Sequence, residues 1–394
     1  MTFPPMRTIT LGLAGAHPLS VQEISQAGVL LQRAQARYTE AGYEVQTVRL
    51  STRPVLADLA DWSKDALLHY ALGLQKALDD AGLGFCSLGT AMAADPAFPL
   101  ERINQVTDML IATSALTATV QLATPEHGLR VEAALPTAQA IRRLAGETDE
   151  GFGNFRFAML ACVEAGSPFF PSAYHKGPTS LAIGLQGAGI VAEALRTGIA
   201  RESNLADPAV ISALVKAALL HTAEPIVQIG QALAAELGVR FGGIDLSPAP
   251  LGEDSITTAL ELAGYGRVGT PGTLMAAAAI TTALKSTGLP TCGYCGLMLP
   301  VLEDAMLGRR WEEGLVNAHQ LLLYSAVCGT GLDTLPLPGD STAQEIARLL
   351  LDVAMLAVRL NKPLSARLFP VPGKQVGERT TFTSQYLTNT IVRG

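Results

Sequence analysis

Short apolar runs recur along the chain, each followed by a longer segment whose apolar residues repeat at helical spacing. "TITLGL" (Thr8–Leu13) leads into a helical stretch from Val21 to about Ala41, and "VQTVRL" (Val45–Leu50) into one from Lys64 to Ala81. "GFCSL" (Gly84–Leu88) and "ALTATVQL" (Ala115–Leu122) flank a helix that begins near Leu100. After a helix ending near Ala145 come "RFAMLACV" (Arg156–Val163) and "SLAIGLQ" (Ser180–Gln186). The helical region Pro208–Leu237 precedes "VRFGGIDLS". "GLDTLPL" (Gly331–Leu337) and "SARLFPV" (Ser365–Val371) bracket an amphipathic helix, Ala343–Leu360, with Asp340 and Ser341 offering its N-cap.

Apolar runs without polar alternation suit strands covered on both faces. About ten strands alternating with helices predict an α/β fold, a mostly parallel sheet or barrel wrapped by helices. Periodicity does not separate an open sheet from a closed barrel. No internal repeat or Gly/Ser linker divides the chain, so residues 1–394 are expected to form one large α/β domain. The Pro/Gly-rich stretches Gly166–Pro178 and Ala263–Gly272 read as functional loops.

Composition narrows the partners. Hydrophobic residues are 48% and charged residues 16%, against roughly 25% charged in an average domain. Such a chain buries a large core, and a homodimer is the default expectation. The net charge of −7 and the lack of a Lys/Arg stripe argue against nucleic acid. No apolar run reaches the roughly 18 residues of a membrane span, and the N-terminus lacks signal-peptide character. Five irregularly placed cysteines build no disulfide framework. A cytoplasmic protein with a small-molecule ligand is the resulting expectation.

Several blocks carry a family resemblance. "YHKG" with "AIGLQGAGIV", "FGGIDLSPAP" ending in "GEDSI", "GLMLPVLED", "VCGTGLDTLPLPGD" and "ARLFPVPGKQVGE" resemble the uncharacterised family known as DUF711 or UPF0210. The blocks run from about Arg7 to Glu378. The resemblance implies an α/β barrel of about ten strands, similar to that of pyruvate formate-lyase and other glycyl radical enzymes, and no established activity. Glycyl radical enzymes share a C-terminal Arg-Val-x-Gly motif. The nearest strings here, "GRVGTPG" at Gly266 and the terminal "VRG", do not match it, so no glycyl radical is expected.

In parallel α/β folds ligands bind at the C-terminal ends of strands. Asp245 lies near such an end, and Asp254 and Ser255 follow a Pro-Ala-Pro turn. Asp245 and Asp254 are expected to line a pocket, ligating a hard cation such as Mg²⁺ or Ca²⁺ or moving protons. The alternative makes Asp254 or Ser255 a helix cap and Asp245 a loop brace. Glu303 is a further ligand or base, and Asp304 reads equally as charge in the first turn of a helix. Asp333 sits inside an apolar strand, where a carboxylate is costly unless paired. Arg367 is positioned to pair with such a carboxylate or clamp a substrate.

His175, in a loop matching the family blocks, is a candidate general base or metal ligand, or else a solvated loop histidine. Lys176 beside it would meet an anionic substrate. Gly187-Ala-Gly189-Ile-Val-Ala192 has the G-x-G-x-x-A form of a dinucleotide fingerprint, but Asp207 stands in a helix lead-in, so a complete NAD site is not expected. The Gly187 and Gly189 N–H groups remain available to a phosphate or carboxylate. Cys328 is a candidate nucleophile or an inert core thiol, and the lone Cys292/Cys295 pair carries no zinc site. These residues together predict an enzyme acting on a small anionic metabolite by acid–base or divalent-metal-assisted chemistry. A non-catalytic metabolite-binding protein is the alternative.

Overall fold

The computed structural model describes residues 5–199 and 206–394. Ten strands form one sheet: β1 (Met6–Gly12), β2 (Val48–Ser51), β3 (Cys86–Ala91), β4 (Leu116–Thr124), β5 (Gly128–Leu129), β6 (Phe157–Ala161), β7 (Ser180–Leu185), β8 (Arg240–Asp245), β9 (Gly331–Pro338) and β10 (Leu364–Val371). The order is β8-β7-β1-β2-β3-β4-β6-β10-β9, with β5 paired to β4. Every residue of β1, β3, β4, β6 and β7 is buried, as their unbroken apolar runs require of strands covered on both faces. One hydrophobic cluster extends from Met6 to Leu368 across the sheet and its helices.

Strand direction divides the sheet into blocks. β1, β2, β3, β4 and β6 are mutually parallel. β7 runs antiparallel to β1 and carries β8 with it, while β10 runs antiparallel to β6 and carries β9. The two edge strands share a connecting segment: Thr291 bridges to Ile244 of β8, and Pro300 bridges to Asp333 of β9. The N-terminal ends of the central block therefore lie beside the C-terminal ends of β7 and β8. That juxtaposition positions the site.

Helix boundaries follow local chemistry. The helix Val21–Glu40 opens with a capping box, Ser20 accepting from the Glu23 backbone and Glu23 from that of Ser20. The helix Ala343–Leu360 opens with another at Thr342 and Glu345; the cap is thus Thr342, one residue beyond Ser341. Three helices, Thr273–Lys285, Ala305–Glu312 and Ala318–Val327, occupy a stretch whose alanines and glycines mute the apolar periodicity.

Among the described residues, by length and composition alone one helix, Pro208–Glu236, is long and apolar enough to cross a membrane. Its Ile211, Val215, Leu219, Ile226 and Leu233 are buried, and it packs on the helix Thr273–Lys285 and on β8. About 33% of its most apolar window is buried.

Candidate functional site

A charged side chain inside an apolar strand is tolerated only where partners or a ligand satisfy it. Arg7 on β1, Arg49 on β2, Asp333 on β9 and Arg367 on β10 all line one cavity of about 60 Å³, joined by Glu303 from the loop before the helix Ala305–Glu312. Phe85, Phe155, Phe170, Tyr386 and Met298 supply its apolar wall. The cavity sits at the N-terminal ends of the central block, whereas the topology rule for parallel sheets points to the C-terminal ends. The reversed β7–β8 pair is the reason: Ala249 and Pro250, just past the C-terminal end of β8, reach the same cavity.

Four of these charges alternate and cancel. Arg7 Nη2 donates to Glu303 Oε2 at 3.2 Å, Arg367 Nη2 to Glu303 Oε1 at 2.5 Å, and Arg367 Nε to Asp333 Oδ1 at 2.7 Å. Burial pushes the Glu303 pKa up, the Arg367 guanidinium pulls it down, Asp333 pushes it up again, and Arg7 opposes both; the net direction is upward. Glu303 is thus a carboxyl whose proton affinity is set by its neighbours.

Arg49 stands outside that chain. Its Nε donates to Thr47 Oγ1 at 3.0 Å, and its guanidinium lies 5.2 Å from the Phe85 ring centre and 5.3 Å from that of Phe170. Among the described residues no carboxylate pairs with it, and it is only 8% exposed. Burial, and then the Arg7 charge, pull its pKa down to about 9, which still leaves it cationic at neutral pH. Stacking on two rings recovers part of the lost hydration, roughly 0.5–2 kcal/mol per contact. Arg156, at the head of β6, also lines the cavity but donates both Nη groups to backbone, to Leu116 O and Leu110 O at 2.8 Å.

Hydroxyl groups complete the lining. Thr117 Oγ1 and Thr330 Oγ1 are buried with no hydrogen-bond partner, and the buried Tyr294 Oη makes no well-aligned hydrogen bond but lies beside the Ser172 and Ser365 hydroxyls. Burial raises the Tyr294 phenol to about 12, so it remains a donor. Ser172 and Ser365 have spent their protons, on Phe169 O and Thr330 O. An unsatisfied buried hydroxyl costs about 1–3 kcal/mol, so these groups favour a polar occupant of the cavity, water or ligand.

Of the residues singled out from the sequence, Glu303, Asp333 and Arg367 meet in this cavity. The others lie elsewhere. The Asp245 carboxylate is completely buried and accepts from Ser247 N (2.9 Å), Ser247 Oγ (2.6 Å), Tyr294 N (2.8 Å) and Cys295 N (3.1 Å). Oδ1 takes three of those bonds and Oδ2 one, so the carboxylate is held inside the protein by the chain's own donors. Asp245 braces the loop that carries Tyr294 and is not itself in the cavity.

Asp254 faces a separate surface hollow, takes Gln186 Nε2 at 2.6 Å, and lies against Gly189 at the start of the helix Ala188–Gly198. Gly187 caps that helix. The N–H end expected to receive a ligand is thus occupied by the protein's own carboxylate. Asp245 and Asp254 do not form a metal pair, and among the described residues no cluster of three or more His, Cys, Asp or Glu could hold a metal ion. Ser255 caps the helix Ile256–Leu262 through Thr258 N and donates to Asp304 Oδ1 at 2.6 Å. Asp304 in turn caps the helix Ala305–Glu312.

His175 is 2% exposed and sits at the other end of the central block, its ring on Gly12 and its Nε2 against Gly177 O and Pro178 O. Burial lowers its pKa. Lys176 beside it is exposed. The Cys328 thiol is buried, donates to Tyr324 O at 2.9 Å, and is pushed up to about 12 by burial, far from the thiolate a nucleophile needs.

Sequence reasoning passed over Arg7, Arg49 and Tyr294. For the two arginines a signal existed: "MRTITLG" and "VRLS" each place a cation in an apolar strand, the argument already applied to Asp333.

The family described as "Uncharacterised ACR (DUF711)" matches residues 4–384. A UPF0210 protein of Oenococcus oeni is 30% identical over 405 residues, covering 96% of this chain and 88% of its own. One from Desulforudis audaxviator is 29% identical with the same coverage, and one from Pyrobaculum aerophilum is 32% identical, covering 86% and 76%.

Proposed function

We propose, for a chain that belongs to the uncharacterised DUF711 (UPF0210) family, that the cavity binds a small anionic metabolite through Arg49 and that Glu303 exchanges a proton with it. The observation that carries this is the Arg49 guanidinium: buried, charged, without a carboxylate, and lining a cavity that also holds buried hydroxyls. A ligand anion would supply the charge-assisted hydrogen bonds that the protein withholds. Glu303 supports the acid–base part, because its upward-shifted pKa brings proton exchange nearer to neutral pH.

The clamp of two guanidiniums on Glu303 favours a second reading, a protein that binds the metabolite without converting it. Calorimetric titration with acetate and inorganic phosphate tests the shared part. Saturable binding by the wild type that falls at least tenfold in Arg49→Met is expected; equal binding by both overturns the reading. Proton NMR of mixtures incubated with each bound carboxylate then separates the two. Turnover lost in Glu303→Gln with binding retained identifies an enzyme. A cytoplasmic homodimer is the setting proposed for this activity, resting on the low charged fraction of 16%, and light scattering on the purified chain checks the assembly.

A further inference from the structure

The polar groups of the cavity are of two kinds. Arg7, Glu303, Arg367 and Asp333 cancel; among the described residues Arg49 and Arg156 pair with no carboxylate, and with the Arg156 Nη groups spent on carbonyls, Arg49 is the guanidinium left with N–H groups to offer. The same cavity also holds Thr330 Oγ1, which makes no hydrogen bond, Tyr294 Oη beside the Ser172 and Ser365 hydroxyls, and the Asp333 carboxylate, whose Oδ1 takes Arg367 while its Oδ2 accepts nothing. Both sets border the same cavity of about 60 Å³, a few times the ~10–15 Å³ that one water needs, so the space suits one short molecule.

Resting on the anion reading of Arg49, we propose that the ligand is a short hydroxy acid of two to about four carbons. Its carboxylate sits on Arg49, while its hydroxyl donates to Asp333 Oδ2 and accepts from Tyr294 or Thr330. Charge and hydrogen bonding exclude the neighbouring classes. An amino acid is already neutral as a zwitterion and leaves the Arg49 charge uncompensated. A dicarboxylate requires a second free guanidinium, and the Nη groups of Arg156 are spent on carbonyls. A plain carboxylic acid leaves Tyr294 and Thr330 unpaired, and sites built for a ligand hydroxyl discriminate strongly against analogues that lack it.

The test is a calorimetric comparison of glycolate and lactate with acetate, propionate and glycine. Hydroxy acids are expected to bind about tenfold tighter than their deoxy partners and tighter than glycine, since the hydroxyl donates to a charged acceptor. Tyr294→Phe and Thr330→Val should each shrink that preference while acetate affinity stays near wild type. Equal affinity for lactate and propionate, a preference for glycine, or a preference untouched in both variants overturns the proposal. If Arg49→Met abolishes carboxylate binding without any hydroxyl preference in the wild type, the substrate class falls and the anion reading stands. If Arg49→Met changes nothing, or no acid binds, both fall.

Discussion

His17 holds its imidazole between Tyr70 Oη on Nδ1 at 2.7 Å and Thr52 Oγ1 on Nε2 at 2.9 Å, beyond the C-terminal ends of β1 and β2. Burial lowers its pKa from 6.5 to about 4, with Asp58 opposing in part. A pKa depressed in the folded state gives stability that is present above the unfolded value and lost as pH falls through the folded one. The window is therefore pH 6.5 down to about 4, and the shift corresponds to about 3 kcal/mol. The raised pKa values of Asp245, Glu303 and Asp304 act with the opposite sign, stabilising at low pH and fading as pH rises. The His17 contribution must accordingly be read as a difference. Urea unfolding of wild type and His17→Gln across that window should show the wild type losing more stability on acidification. Parallel curves would mean that His17 binds protons equally in the folded and unfolded states, so that burial does not lower its pKa.

At the scale of elements, the loop Thr291–Gly296 is organised around one carboxylate. Asp245 ends β8 and gathers the backbone N–H groups of Tyr294 and Cys295, residues 49 and 50 positions later in the chain. Gly293, at φ +68°, passes so close to that carboxylate that a Cβ would collide with it. Asp245→Asn turns an amide NH₂ toward donors that need an acceptor, and should destabilise the fold by about 1–3 kcal/mol. The folded fraction should still bind small carboxylates, because Arg49 and Glu303 are untouched. Loss of binding without loss of stability would restore Asp245 to the active machinery. Here the limit of sequence reading is visible: "GGIDLS" shows a carboxylate at the end of a buried strand with Ser247 beside it, but the Tyr294 and Cys295 N–H groups that complete its bonding come from a distant loop. Asp333 and Arg367 were legible because each stands inside its own apolar run, where burial alone makes a partner necessary.

At the scale of the molecule, the alternation of apolar runs and helices was sufficient to place the main strands and most of their covering helices. Direction was not legible, because periodicity is the same whichever way a strand runs. Two reversed pairs flanking five parallel strands move the cavity from the expected end of the sheet to the other, and that change separates His175 from Glu303. The same arrangement has an energetic cost. It draws Arg7, Arg49, Arg156 and Arg367 inside a chain of net charge −7, with Glu303 and Asp333 paired to Arg7 and Arg367 alone. Native folds keep such destabilising groups where function needs them, and substitutions that remove them commonly stabilise. Arg49→Met retains the apolar contact with Phe85 and Phe170 while removing an uncompensated charge. In buffer free of small anions it should therefore be more stable than wild type, by about 1–3 kcal/mol in urea unfolding at pH 7. Adding glycolate at a hundred times its dissociation constant should stabilise the wild type by about 2.7 kcal/mol and leave the variant unmoved, so that the order of stabilities narrows or reverses. A variant less stable than wild type in anion-free buffer would show that the guanidinium serves the fold through its ring stacking, and a ligand would no longer be needed to explain its place in the core.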